Sequence, residues 1–499
     1  MKTSEQKTKF PAPIYRDTVL APVFADAKRY FLEPLLEIEY AHTLMLARQR
    51  IMPENEAAAC ILALDGLDRD AIKVAEYDGS FEDLFFYLEK KLTAACGEEV
   101  AGKMHTARSR NDIDLTMYRM VLRGRLMQLF ESLLGLRSFL VELAWTHREA
   151  LMPAYTHNQP AQPTTLGHYL MAYIEILERD AERIRESYAR VNCSPLGACA
   201  ITTTGFPIDR SFTAELLGFD RLQMNSYGAI AATDYLVESC GVLATAMLSL
   251  GRFTQDLLLW STVEFGYLRL SDAYVQISSI MPQKRNPVPL EHVRVLASRA
   301  LMEAQSVVGS LHNTPFADMN DAEDDLQPLV YTAFDDAERS IRLLTGALGE
   351  AEFNTAKMAV AADGNFLPVT ELADTLVRET GMNFHAAHGI VSSAVRELSS
   401  GYDPERMTTI VERELSATGK SASITQGQVR ATLSAKNFIA VRRIAGGPAA
   451  EALEPELLRA KDQLSTDERW LAETEQKLLS AKDAMRQECD SLLRRVNGH

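Results

Sequence analysis

The sequence predicts an all-α protein built around a long central helical bundle, and three observations carry that expectation. No proline occurs between Pro53 and Pro153, between Pro163 and Pro195, or between Pro207 and Pro282; long proline-free spans with few glycines favour helices over strands. Leu166, Leu170, Tyr173, Ile174, Leu177, Ala181 and Ile184 recur at three- and four-residue steps, which is one apolar stripe along a helix. From about Tyr227 to Trp260 the apolar residues run around much of the circumference, among them Leu236, Val237, Val242, Leu243, Met247, Leu250 and Leu257. A helix of that kind needs other helices on several sides, so it belongs at the centre of a bundle and at a subunit contact; the core helix of a monomer is the other reading.

Taken in order, the chain divides into three parts. Residues 1–110 form a mostly helical N-terminal domain that holds the turn at Asp78-Gly79-Ser80. Residues 111–363 form the central long-helix bundle, with a polar loop near 276–288. Residues 364–499 form a helical C-terminal domain, entered at Asp363-Gly364-Asn365 and broken at Gly446-Gly447-Pro448 before a final charged amphipathic stretch. No internal repeat or low-complexity segment stands out.

Composition excludes several classes. The 499 residues carry a formal net charge of −16, which repels nucleic acid and anionic membrane surfaces but leaves room for a local basic pocket. Hydrophobic residues at 46% and charged residues at 24% are those of an ordinary folded globular chain. The cysteines at 60, 96, 193, 199, 240 and 489 form no paired spacing, so neither a disulfide framework nor a zinc site is expected, and a reducing cytoplasm is the simplest compartment. Met1 to Phe10 has charges but no apolar core of a signal peptide, and no uninterrupted apolar run reaches membrane-spanning length.

Three polar islands interrupt the helical pattern. In His105-Thr106-Ala107-Arg108-Ser109-Arg110-Asn111-Asp112, Ser109 followed three residues later by Asp112 reads as a helix start, which places Arg110 and Asn111 beside free backbone N–H groups able to hold an anion. A capped surface helix with solvated arginines is the plainer reading. In Tyr155-Thr156-His157-Asn158-Gln159-Pro160, directly before another helix, His157 is a candidate for proton transfer, and Thr156 and Gln159 are neutral carboxylate ligands; a polar surface histidine is the alternative. The third island, Ser278-Ser279-Ile280-Met281-Pro282-Gln283-Lys284-Arg285-Asn286-Pro287, combines hydroxyls, a cation and an amide. Pro289 then opens a helix whose positive end points back at the loop, so Lys284 and Asn286 can clamp an anion. A mobile loop is the bland account, and mobility is also what an active-site lid requires.

The octet HTARSRND, the segment YTHNQPAQPTTLGHYL and the loop SSIMPQKRNP resemble the three signature regions of the fumarase/aspartase superfamily in its argininosuccinate lyase branch, and the likeness runs from about residue 30 to 440. The resemblance implies a three-domain subunit, a homotetrameric helical core, sites shared between three subunits, and no metal or organic cofactor. It implies elimination of an amine from an N-substituted L-aspartate to give fumarate. Ser278 matches the base for the Cβ proton; His157, with Glu291 as its carboxylate partner, matches the proton-transfer histidine and competes with Ser278 for the role of base. Arg110, Asn111, Thr156, Lys284 and Asn286 match substrate-carboxylate ligands, with Gln159, Ser279 and Met281 beside them.

The amine side departs from the family. Argininosuccinate lyases carry a pattern like YNxDLQEDK after the loop helix, and this chain places Asp318, Glu323 and Leu326 at its tyrosine, glutamine and lysine; the family's FNxSIxFD-like segment is absent around Val23 to Leu32. Added acids favour a cationic leaving group and the lost lysine disfavours the arginine carboxylate. Ethylenediamine-N,N'-disuccinate or a related aminopolycarboxylate is therefore the expected substrate, with argininosuccinate the alternative. A catalytically silent structural homologue, of the kind reused as a lens crystallin, is the alternative of another class.

Overall fold

A computed structural model describes residues 10–399, 401–419 and 424–498; the N-terminal segment expected to carry no signal peptide falls almost entirely outside them. The fold is all-α. Five long helices make its body: α4 (Arg110–Thr146), α5 (Leu166–Val191), α6 (Asp234–Trp260), α7 (Val288–Leu311) and α8 (Gln327–Gly349). Each packs on the next, and α8 closes back on α4. At about 1.5 Å per residue, α4 is roughly 55 Å long, so its two ends serve different parts of the molecule. In front of it stand α1 (Leu32–Arg48), α2 (Glu54–Asp65) and α3 (Leu84–Cys96).

The predicted stripe is the buried face of α5: Leu166, Leu170, Tyr173, Ile174, Leu177, Ala181 and Ile184 are all buried. Its C-terminal carbonyls find unusual partners. Arg119 of α4, itself buried, donates from Nη1 to the carbonyls of Arg190 (3.1 Å) and Val191 (3.2 Å) and lies 3.9 Å over the Tyr235 ring. Arg123 reaches Asn192 Oδ1 (2.8 Å) and the Leu217 carbonyl (2.7 Å). These guanidiniums occupy the negative end of a helix dipole where no carboxylate is needed.

The apolar stretch from Tyr227 divides into a short helix, Ser226–Ala231, and α6, because Ala232 leaves the helical region. By length and hydropathy α6 is the one described helix that would suit a membrane. It instead packs against α5, α7 and α8, and holds Tyr235, Leu236, Leu243, Met247, Leu250 and Leu257 in the core. Leu248 on α6, and Val295 and Met302 on α7, remain more than half exposed, a large apolar area on helices that are otherwise central.

Two of the islands read as loops are built on short β-structure. β1 (Leu151–Thr156) and β2 (Gln159–Thr165) pair antiparallel, with a register shift at Ala154/Tyr155. The prolines that exclude a helix are tolerated because a two-stranded ribbon has only edges. The loop Ser278–Lys284 is the tip of a second ribbon, β3 (Gln276–Ile277) with β4 (Arg285–Asn286).

A second, smaller core follows the bundle, made by α9 (Val369–Thr380), α10 (Phe384–Glu397), α11 (Pro404–Ala417) and α12 (Gln426–Thr432). The last helix, α13 (Ala450–Asn497), packs on the bundle. Leu453, Leu457, Leu464, Leu471, Met485, Cys489 and Leu492 are buried in the first core, because α13 turns back along α4 and α5 to reach α1 and α2. A buried ion pair anchors its middle, Arg137 Nη2 to Asp467 Oδ2 at 2.7 Å, with Arg185 on the other oxygen at 3.0 Å. Lys482–Glu37, Arg486–Asp65 and Arg495–Glu54 fasten its far end.

Candidate active site

The first cluster is set by the start of α4. Ser109 and Asp112 make the expected reciprocal cap, with the Ser109 N–H on Asp112 Oδ1 at 2.9 Å. Asp112 Oδ2 also accepts the amides of Gly197 (2.8 Å) and Cys199 (2.9 Å), which ties the cap to the 194–210 loop; burial nevertheless pushes its pKa up. Two contacts from α1 hold the octet behind it: His42 Nε2 on the Thr106 carbonyl (2.9 Å) and Glu39 on Arg108 (2.8 Å, fully inside).

At this cap Asn111 Nδ2 donates to Asp318 Oδ2 at 2.8 Å and to the Ala200 carbonyl at 3.1 Å. Arg110 turns toward Asp83 (2.5 Å) and Glu82 (3.2 Å). Burial, and then the neighbouring Asp318 carboxyl, push Glu323 up to about 8. Tyr118 donates to Asp324 at 2.9 Å, and Asp114 lies among Asp324, Asp83 and Glu323 with its carboxyl held well above the usual range, by burial first. Arg110, Asn111, Asp318 and Glu323 were legible as site candidates; Asp83, Asp114, Tyr118 and Asp324 were missed. The i, i+4, i+8 spacing of Arg110, Asp114 and Tyr118 on one helix face was the available signal.

The second cluster is the tip of the β1–β2 hairpin. His157 and Asn158 both take left-handed backbone angles, φ 52° and 58°, as the two central residues of a hairpin turn. Thr156, His157 and Gln159 are exposed and make no side-chain hydrogen bond to another described residue. The base of the hairpin is firmly seated instead. Gly167 passes so close to α4 that a Cβ there would meet the Arg148 Cα at 2.5 Å and the Ala144 carbonyl at 2.7 Å. His168 links Thr164 (2.8 Å) to the Gly446 carbonyl (3.0 Å), and Gln162 reaches Thr370 (3.2 Å).

The third cluster is the β3–β4 loop. Ser278 Oγ accepts the amides of Met281 (3.1 Å) and Ile280 (3.4 Å). Asn286 Nδ2 donates to the Gln276 carbonyl at 3.1 Å, and Arg285 is held by Asp272 and the Leu270 carbonyl. Ser279, Met281 and Lys284 are exposed, and Ile277 and Ile280 project from the tip at 80% and 81% exposure. Glu291 is exposed in the first turn of α7, where Pro289 is the second residue.

Within one chain the three clusters do not meet through any hydrogen bond: Ser278, His157 and Glu291 share none, and neither contacts Arg110 or Asn111. Leu326, expected on the amine side, is buried in the main core at the N-terminus of α8.

The family described as Lyase matches residues 38–301, and the one described as Argininosuccinate lyase C-terminal matches 366–440. Argininosuccinate lyase 2 of Agrobacterium fabrum is 42% identical, over 89% of each chain, and the argininosuccinate lyase of Methanoculleus marisnigri is 39% identical, over 91% of this chain and 92% of its own. Among solved structures, EDDS lyase in complex with formate superimposes with a TM-score of 0.86 at 32% identity, over 97% of both chains. The chain belongs to the fumarase/aspartase superfamily, in its argininosuccinate lyase branch, and is a carbon–nitrogen lyase that yields fumarate.

Proposed function

We propose that this lyase cleaves an N-substituted L-aspartate whose leaving group is cationic, with argininosuccinate as the lead substrate. One observation carries the cationic preference: Asp318, with Glu323 behind it, sits on Asn111, a residue matched to the succinyl end of the substrate. A guanidinium or ammonium is what such a rim of carboxyls attracts. The amine-side departures alone put ethylenediamine-N,N'-disuccinate first; the relatives named argininosuccinate lyase, at 42% and 39% identity, support argininosuccinate. The disuccinate stays as the second reading, supported by the lost lysine at Leu326 and by the likeness to EDDS lyase.

The chemistry follows from charge. Loss of the Cβ proton leaves a doubly charged aci-carboxylate, and fixed donors aimed at its oxygens lower that barrier. Lys284, Asn286, Thr156, Arg110 and Asn111 are those donors in this reading, with Gln159, Ser279 and Met281 around them. A serine is a weak base in water, and the two amides directed at Ser278 Oγ, with Lys284 six residues on, are what would steady its oxyanion once the loop closes. His157, paired with Glu291 of another chain, is the second proton-transfer group. The working enzyme is a homotetramer in the cytoplasm that joins the three clusters from three subunits, with the exposed apolar strip of α6 and α7 as the contact.

The test is fumarate absorbance with argininosuccinate, ethylenediamine-N,N'-disuccinate and aspartate in parallel. Argininosuccinate is expected to turn over fastest. Faster turnover of the disuccinate would exchange the two substrates, and release from neither would leave the silent homologue.

A further inference from the structure

We propose that Asp318 holds, within the chain, the place that a substrate carboxylate takes on Asn111, and that it gives up this place only to a substrate that brings it a cation. The inference rests on the lyase reading above and deepens it, from a preference for a cationic leaving group to the contact that enforces the preference.

Both polar atoms of the Asn111 side chain are already used within the chain. Its Nδ2 carries two hydrogens; one goes to Asp318 Oδ2 at 2.8 Å and the other to the Ala200 carbonyl at 3.1 Å, while its Oδ1 accepts from Ser109 Oγ at 3.0 Å. A substrate carboxylate therefore cannot simply be added to this amide; it has to replace a partner. Of the two, Ala200 is fixed. Its loop is held by the amides of Gly197 and Cys199 on Asp112, and by Arg210, which donates to the Leu196 and Pro195 carbonyls. Asp318 belongs to no helix or strand; it lies in the connection between Leu311, where α7 ends, and Gln327, where α8 begins. Just before it the chain is tied from outside, by the Tyr227 hydroxyl on the Phe316 carbonyl at 3.2 Å and by stacking of the two rings. Arg110, the cation beside Asn111, also holds a carboxylate, but one built into the fold: Asp83 gives it Oδ2 at 2.5 Å and caps α3 with Oδ1, on the Phe86 amide at 3.0 Å. Arg110 is thereby committed, and the charge that frees Asp318 has to arrive with the substrate.

Charge decides the exchange. Asp318 and an incoming carboxylate compete for one N–H as like charges, which repel one another strongly in a half-buried space. A guanidinium or ammonium on the leaving group gives Asp318 a charge-assisted partner, stronger than the neutral amide, and Asn111 passes to the succinyl end. Once the carbon–nitrogen bond is broken the cation departs with the amine, Asp318 returns to Asn111, and the dicarboxylate left behind loses its donor. One contact thus selects the substrate and clears the product.

Succinate is the probe: it has both carboxylates of the product but no double bond for an amine to add to, so calorimetry reads its binding without turnover. The wild type should bind succinate about 10-fold more tightly when saturated with arginine, or with ethylenediamine where the second reading holds, and no more tightly with citrulline, which has the shape of arginine without its side-chain charge. By reciprocity succinate should tighten the amine by the same factor. Asp318→Ala should bind succinate about 10-fold more tightly than the wild type with no amine present, and should lose the response to amines. Asp318→Asn keeps an acceptor for Asn111 without the charge and should lose the response too, a readout that stands even where D318A folds poorly. Weaker succinate binding in both variants is what a merely structural Asp318 gives; that result, a wild type indifferent to both amines, or an equal response to arginine and citrulline would overturn the proposal. Should the wild type release fumarate from none of the N-substituted aspartates, this proposal and the reading beneath it fall together; an active wild type without the coupling sinks the proposal alone.

Discussion

Ser278 and His42 make opposite demands on their surroundings. Ser278 is half-buried in an exposed loop, with two backbone amides on its oxygen. Ser278→Ala is expected to reduce fumarate release by about 100-fold or more while the oligomer keeps its mass in light scattering; substantial residual turnover would move the base role to His157. His42 is buried on the Thr106 carbonyl, and burial, then the nearby Arg108, hold its pKa well below the ordinary value of 6.5. Above that value folded and unfolded chains are both neutral there, so nothing changes with pH. Below it the unfolded chain takes a proton that the folded chain refuses, and stability is lost as pH falls, by at most about 1.4 kcal/mol per unit. Urea denaturation of wild type and His42→Gln from pH 7.5 down to 5.5 should show the wild-type advantage shrinking with acid; a constant gap would mean that His42 is protonated in the fold. Among these residues the reach of sequence is clear. Ser278, His157 and Asn111 were legible because polar residues cluster where an apolar pattern stops, whereas Asp83 and Asp324 were hidden because only folding brings them to Arg110 and Tyr118.

Helices whose apolar faces are simple were legible, and α5 is the clearest, since every residue of its predicted stripe is buried. The β1–β2 hairpin was not. Pro153 and Pro163 face each other in its register, and Pro160 opposes Tyr155; prolines in such numbers signal a loop, and only an isolated ribbon, all edge, accommodates them. The course of α13 was hidden for another reason. Its charged periodicity announces a helix but not its partner, and the decisive contact joins Arg137 to Asp467 across 330 positions of sequence. That pair is fully inside, and Nε and Nη1 of Arg137 have no other partner. Asp467→Ala leaves a buried guanidinium uncompensated and should cost about 3–5 kcal/mol, read as a drop in the urea midpoint. A shift below about 1 kcal/mol would show that water reaches Arg137, as at an exposed pair.

At the scale of the molecule, one chain holds every piece of the proposed site and joins none of the three clusters. Mixing Ser278→Ala with Asn111→Ala protein, after joint unfolding and refolding, should therefore restore part of the fumarate release that each lacks alone, because some sites then draw both intact clusters from different chains. Restoration to no more than the sum of the separate activities would mean that each site is built within one subunit. The all-α bundle was readable from the proline spacing and the apolar periods; the return of α13 to α1 and α2 was not, and it bears on how the protein is made. Synthesis runs from the N-terminus, and the helices of the first hundred residues emerge early. Cys489 and Leu492 of α13, which are buried in that same core, are joined long after them. The core that is started first is thus left open until α13 is made, and a ribosome that stops short of α13 releases a chain whose early helices still show water an uncovered apolar groove.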